Sequence, residues 1–255
     1  MVDWPKIAIG VITFSRPSEI RQTLAALANQ LTYAGEMVLI ISDDCTPGRY
    51  LRELEAWWAE NYPGHWRMKT LSTARNCGWG CATNGLLKYA FEVEHAKFIF
   101  QLEDDYIAHA PINLNTGVAI MEQEPSLGML RYRATAGTPM LYAQRETDIS
   151  RWCPDYREYW GYTLGKVTWL ELLPHSPTLW LYSNGVHLKR PEFHGVYGLY
   201  PEGLKLGETE EQMAHNVVDI MRSHPDTPKI GVQPPYIYMV WDHIGVSFQG
   251  TEFDK

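Results

Sequence analysis

The run KIAIGVITF, from Lys6 to Phe14, is apolar at nearly every position and shows no polar–apolar alternation. A strand of that kind has to be covered on both faces. Directly after it, Pro17 stands where a first helical turn tolerates proline, and Ile20, Leu24, Leu27 and Leu31 recur at helical spacing. The change of period then repeats. MVLIISDD and KFIFQLEDD read as buried strands and HWRMKTLST as a shorter one. GRYLRELEAWWAENY and GWGCATNGLLKYAFEV read as the helices between them. Strand–helix alternation predicts an α/β fold with a mostly parallel sheet and helices on both faces. Ligands in such sheets bind at the carboxyl ends of the strands. Polar clusters fall at those ends three times, at Thr13–Arg16, Asp43–Asp44 and Glu103–Asp105.

The second half is less regular. TLWLYSNGVHLKR reads as a hairpin, because Asn184-Gly185 is a two-residue turn signal. GETEEQMAHNVVDIM reads as a helix with Met213, Val217, Ile220 and Met221 on one face, and PPYIYMVWDHIG as a final strand and its exit. Residues 132–182 are aromatic and carry no clear period. With no repeat or linker, the expectation is one domain over residues 1–255. About residues 1–110 would bind a donor or cofactor, and about 111–255 would shape an acceptor pocket.

The net charge of −8 argues against broad nucleic-acid binding, which needs a basic face. No apolar run is long enough to span a bilayer and no secretory leader is visible, so a cytoplasmic protein is expected. Four cysteines fit a reduced compartment, with Cys77 and Cys81 read as small buried residues.

Three adjacent carboxylates, Glu103-Asp104-Asp105, repel one another unless a cation neutralises them. Mg²⁺ and Mn²⁺ take oxygen ligands, commonly one or two carboxylates completed by substrate phosphates. Side chains alternate along an extended strand, so Glu103 and Asp105 would share a face as ligands, with Asp104 opposite. A solvated acidic turn is the plain alternative. Asp43 or Asp44 can accept from a base N–H or a ribose hydroxyl. Arg75, Asn76, Gly78 and Gly80 before a helix suit a phosphate or a base edge.

The ordered set of segments TFSRP (Thr13, Phe14, Arg16), Asp43-Asp44, ARNCG (Arg75, Asn76, Gly78) and Glu103-Asp104-Asp105 resembles the GT-A glycosyltransferases, particularly the family 2-like inverting enzymes. The likeness covers roughly residues 6–106. GLYPEGLKLGETEE resembles that family's segment ending in the catalytic base, although the usual Glu-Asp pair is absent. Glu208 is the first choice for the base and Glu210 the second. Acids in a first helical turn are also favoured by the helix dipole alone. The family places a histidine from the C-terminal region on the metal, which would be His243.

The resemblance implies a GT-A fold and a metal-dependent inverting transfer from a nucleotide-sugar, a UDP-sugar first, to an acceptor hydroxyl. The cation, Mn²⁺ or Mg²⁺, would sit on Glu103, Asp105 and His243. Thr13, Phe14, Arg16, Asp43, Asp44, Arg75, Asn76, Gly78 and Asp104 would hold the donor. Trp160, Tyr162 and Trp180 are candidates for stacking on the acceptor, a glycan or small molecule. Three alternatives stand beside this. The acceptor could be a hydroxymethylated base in viral DNA, with Arg131, Arg133, Lys189 and Arg190 lining a groove and host cytoplasm as the location. The chain could be a nucleotidyltransferase, though TFSRPSEI lacks the glycine-rich loop. It could also be a non-catalytic sugar-binding module.

Overall fold

Strand β1 (Ile7–Thr13) is buried along its whole length, and its alternate residues feed two separate cores. Ile7, Ile9 and Val11 join one face; Ala8 and Ile12 join the other. That division is why the run is continuously apolar. The structure is a computed structural model that describes residues 3–132, 156–161, 166–174, 181–205, 207–232 and 241–244.

In chain order, β1 leads through α1 (Pro17–Gln30) and β2 (Leu31–Thr32) to β3 (Met37–Asp43). Then come α2 (Tyr50–Asn61), β4 (Arg67–Ser72), α3 (Trp79–Lys88) and β5 (Phe98–Glu103). The second half holds β6 (Tyr106–Ala108), β7 (Ile112–Asn113), α4 (Leu114–Gln123), β8 (Leu127–Arg131), β9 (Tyr156–Gly161) and β10 (Lys166–Leu172). It continues with β11 (His187–Lys189), α5 (Pro191–Tyr197), α6 (Glu208–Ser223), β12 (Lys229–Val232) and β13 (Trp241–His243).

Nine strands form one sheet in the order β4-β3-β1-β5-β11-β8-β12-β10-β9. β4, β3, β1 and β5 are mutually parallel, β12 is parallel to β8, and β11 and β10 run against their neighbours. Leu24, Leu54 and Val118 of α1, α2 and α4 pack on one face. Leu86, Phe193 and Val217 of α3, α5 and α6 pack on the other.

Three expectations change. The third helix stops at Lys88 and passes into a π-helical turn, Tyr89–Val93. Ser183–Gly185 does turn the chain, but β11 does not fold back as a hairpin; it enters the sheet between β5 and β8. Antiparallel pairing in this half of the sheet joins β9 with β10, β10 with β12 and β11 with β8. Cys77 and Cys81, read as reduced core residues, form a disulfide. Cys77 precedes the N-cap and Cys81 lies in the first turn of α3, which brings their Cα atoms to 5.7 Å, a span a disulfide bridges.

Candidate active site

The parallel registers set Thr13 beside Asp43 and Ile12 beside Glu103, so the acid-bearing ends of β3 and β5 share one edge with the end of β1. The two acidic groups are treated differently there.

Asp44 is buried and saturated. It accepts the backbone N–H groups of Cys77 at 2.9 Å and Gly78 at 2.8 Å, and the Thr73 hydroxyl at 3.0 Å. It therefore shapes the 73–78 loop, on which Arg75 and Asn76 stand exposed. Gly78 takes φ +86° as the N-cap of α3, a backbone that favours glycine. Gly80 permits a close approach: a Cβ there would lie 2.2 Å from the carbonyl oxygen of Pro201. Asp43 accepts the N–H of Thr46 at 2.8 Å and also its hydroxyl. Thr46 in turn accepts the N–H of Ser15 at 2.8 Å, which ties the loop after β1, including Phe14, to β3. Burial raises the Asp43 pKa against these hydrogen bonds. A cleft of about 370 Å³ opens beside Asp43, lined also by Thr46, Arg49, Arg52 and Ser72.

The second group ends differently from the alternation argument. β5 stops at Glu103, and Asp104 and Asp105 form a turn before β6. Without extended backbone the two aspartates do not point oppositely: Arg16 donates to Asp104 Oδ1 at 3.2 Å and, closer, to Asp105 Oδ2. Thr13 donates to Asp104 Oδ2 at 2.7 Å and pairs with the Tyr50 hydroxyl at 2.6 Å. Desolvation pushes the Glu103 pKa up to about 8, and repulsion from Asp105, Glu210 and Asp104 adds to it. Desolvation raises Asp104 to about 6, opposed by Thr13 and Arg16. The guanidinium of Arg16 thus lies among three carboxylates, bonded to two of them.

Two later segments close on this turn. β13 pairs antiparallel with β6, setting the backbone of His243 opposite Tyr106, and Ile244 donates its N–H to Asp105 O at 2.9 Å. The chain entering β11 runs along β5 toward Glu103 and presents Asn184, whose N–H donates to Glu210 Oε1 at 2.7 Å. Glu210 is partly buried and faces the acids, whereas Glu208 is exposed and accepts from Lys205 N, in the loop before the helix, at 3.1 Å.

Trp160 lies in β9, with its backbone opposite Val167; Tyr162, Trp180 and Arg133 lie outside the described residues. Among the described residues, the expected basic groove is not formed. Lys189 and Arg131 are buried, and Arg190 donates to the carbonyls of Met121 and Pro125. Sequence reasoning missed Thr46, Thr73, Tyr50 and Asn184. Asn184 carried a signal only as a turn residue, and the threonines carried none.

Among the described residues, no helix is long and apolar enough to cross a membrane, and no three His, Cys, Asp or Glu side chains form a ready metal cage.

No protein-family model and no curated protein sequence matches the chain. Solved structures do. S. aureus TarS 1–349 in complex with UDP-GlcNAc is similar with TM-score 0.58 and 19% identity, over 94% of this chain and 60% of that one. The mannosyltransferase PcManGT from Pyrobaculum calidifontis, in complex with GDP-Man and Mn²⁺, is similar with TM-score 0.57 and 14% identity, over 91% and 56%. GalNAc-T7 with UDP, GalNAc and Mn²⁺ is similar with TM-score 0.58 and 15% identity, over 90% and 42%. The chain thus spans about 60% or less of these structures. At such identities the likeness carries the architecture alone, and it agrees with the large mixed sheet flanked by helices described above: this chain has the GT-A fold.

Proposed function

We propose that the chain is a metal-dependent inverting glycosyltransferase, moving a sugar from a nucleotide-sugar to a hydroxyl of a glycan or small molecule. The observation that carries this is the meeting of Glu103, Asp104 and Asp105 with an inward-facing Glu210 at the strand-end edge of a GT-A sheet. The neighbours' UDP-GlcNAc, GDP-Man and Mn²⁺ support the donor class.

The acids fit a hard divalent cation. Carboxylate oxygens are its preferred donors, and the mutual repulsion raising Glu103 is what a cation relieves. Glu103 and Asp105 would hold Mn²⁺ or Mg²⁺, with His243 as a further ligand. When bound, the ion stabilises charge on the departing nucleoside diphosphate.

Glu210 is proposed as the general base in preference to Glu208, because its carboxylate is held toward the acids while Glu208 is engaged at the helix start. Glu210 takes the proton from the acceptor hydroxyl as that oxygen bonds to the anomeric carbon. The bond from that carbon to the diphosphate oxygen breaks, in one displacement that inverts the centre. Asn184 N–H orients the base. The 73–78 loop, shaped by Asp44, and the cleft beside Asp43 hold the nucleoside. Arg75 and Asn76 reach the donor from that loop, and Phe14 and Arg16 from the loop after β1. The second half of the chain is proposed to shape the acceptor pocket, with Trp160, Tyr162 and Trp180 as the proposed stacking residues.

The test is a donor screen. The protein is incubated with Mn²⁺ and each common nucleotide-sugar, UDP-sugars first, and release of nucleoside diphosphate is followed. Metal-dependent release with at least one donor is expected; no release with any donor contradicts the reading.

A further inference from the structure

Lys189 stands in β11, in the middle of the nine-stranded sheet, with 0% exposure. Its Nζ donates to Gln101 Oε1 at 3.2 Å and to the Tyr200 hydroxyl at 2.8 Å. It also lies 5.0 Å from the ring centroid of Tyr200 and 5.7 Å from that of Phe193. None of these partners is an anion, and burial pushes the amine pKa well below its ordinary value. An ammonium buried without a counter-charge is costly, and an apolar side chain of similar length is not.

The hydroxyls around it define one direction. A phenol has a single proton. Lys189 donates to Tyr200, so Tyr200 is free to donate to Tyr182 at 2.7 Å, and Tyr182 to Asn184 Oδ1 at 2.7 Å. Asn184 then gives its backbone N–H to Glu210. Both ends of the chain are braced. Asn84 of α3 donates to Tyr200 O at 2.9 Å and accepts Tyr200 N–H at 3.0 Å. Ser183 Oγ accepts the N–H of Gly185 at 3.2 Å, which steadies the turn carrying Asn184. Each phenol proton is used once, and the path runs from the sheet interior to the site edge.

We propose that Lys189, Tyr200 and Tyr182 are positioning residues, a buried hydrogen-bonded chain that fixes the Asn184 turn so that its amide holds Glu210 in the orientation a base requires. They touch no substrate. The proposal rests on the reading of Glu210 as the base. A base misplaced by a fraction of an ångström loses rate rather than affinity, so the chain acts on kcat.

The experiment compares wild type, Lys189→Met, Tyr182→Phe, the double variant and Glu210→Gln in the full protein. Each is measured for kcat, donor KM, nucleoside diphosphate binding by calorimetry, and melting temperature. Lys189→Met should melt at or above the wild-type temperature yet lose about tenfold or more in kcat, with donor KM and nucleoside diphosphate binding unchanged. Tyr182→Phe keeps the ring, removes one hydroxyl and should show the same split. The double variant should lose little more than either single, because one chain is cut twice. If Glu210→Gln abolishes transfer while folded Lys189→Met and Tyr182→Phe keep wild-type kcat, this proposal fails and the base assignment stands. If Glu210→Gln itself keeps wild-type kcat, the base assignment fails and takes the proposal with it.

Discussion

The two acid-bearing strand ends sit at one edge, on strands separated by β1 alone, yet they have opposite surroundings. At the end of β3, Asp44 receives two backbone N–H groups and a hydroxyl, and Asp43 receives Thr46. At the end of β5, Asp104 and Asp105 share the guanidinium of Arg16, and desolvation together with repulsion from Asp105 raises the pKa of Glu103 and of Asp104. The same residue type in the same topological place becomes a scaffold where backbone amides bind it, and a mutually repelling cluster where three carboxylates crowd together.

The comparison breaks most sharply at turnover. Asp105→Ala should remove metal-dependent transfer by about 10³-fold or more, the scale of losing a charge-stabilising group, while the protein stays folded. Steady-state assays with unfolding curves check both halves; transfer at the wild-type rate would end the metal assignment. Glu210→Gln should cost ~10²–10⁴-fold in kcat with donor binding retained, and Glu208→Gln should cost little. The reverse pattern would move the base to Glu208.

Asp44→Ala should act mainly on stability. It leaves the Cys77 and Gly78 amides without their acceptor, at about 1–3 kcal/mol for each donor that stays unpaired. Denaturant titration reads this directly, and an unchanged midpoint would show that Asp44 is no scaffold.

The smallest expected effect is on pH. Glu103 at about 8 and Asp104 at about 6 hold protons in the folded chain that the unfolded chain has already released. Stability without added cation should therefore be greatest below about pH 4 as far as these two groups decide it, and fall as pH rises to 8. Saturating Mn²⁺ should flatten that fall. Melting temperatures across pH 5–9, with and without Mn²⁺, test the sign.

How much of this was legible follows from which faces are buried. β1, β3 and β5 have helices on both sides, so their runs are apolar throughout and announce themselves, acids included. β11 is as central as any of them, but it is three residues, His-Leu-Lys, with both polar side chains buried. His187 satisfies Nδ1 on Gly185 O at 2.6 Å, and Lys189 finds a tyrosine hydroxyl and an amide. No periodicity encodes a strand whose buried lysine is satisfied by residues 88 and 11 positions away. The split of Asp104 and Asp105 was misread for a related reason: alternation holds only while the backbone is extended, and β5 ends at Glu103, two residues before Asp105. The preference for Glu210 over Glu208 needed the Asn184 turn, which lies 26 residues away in sequence.

The contrast between the two strand ends rests on a cation being wanted at one of them. Calorimetric titration of Mn²⁺ into wild type and Asp105→Ala, each at pH 6 and pH 8.5, measures that directly. Saturable binding to wild type that is tighter at pH 8.5 than at pH 6, and lost in Asp105→Ala, is the predicted result. Equal binding by both proteins, or none by wild type at either pH, would contradict the account.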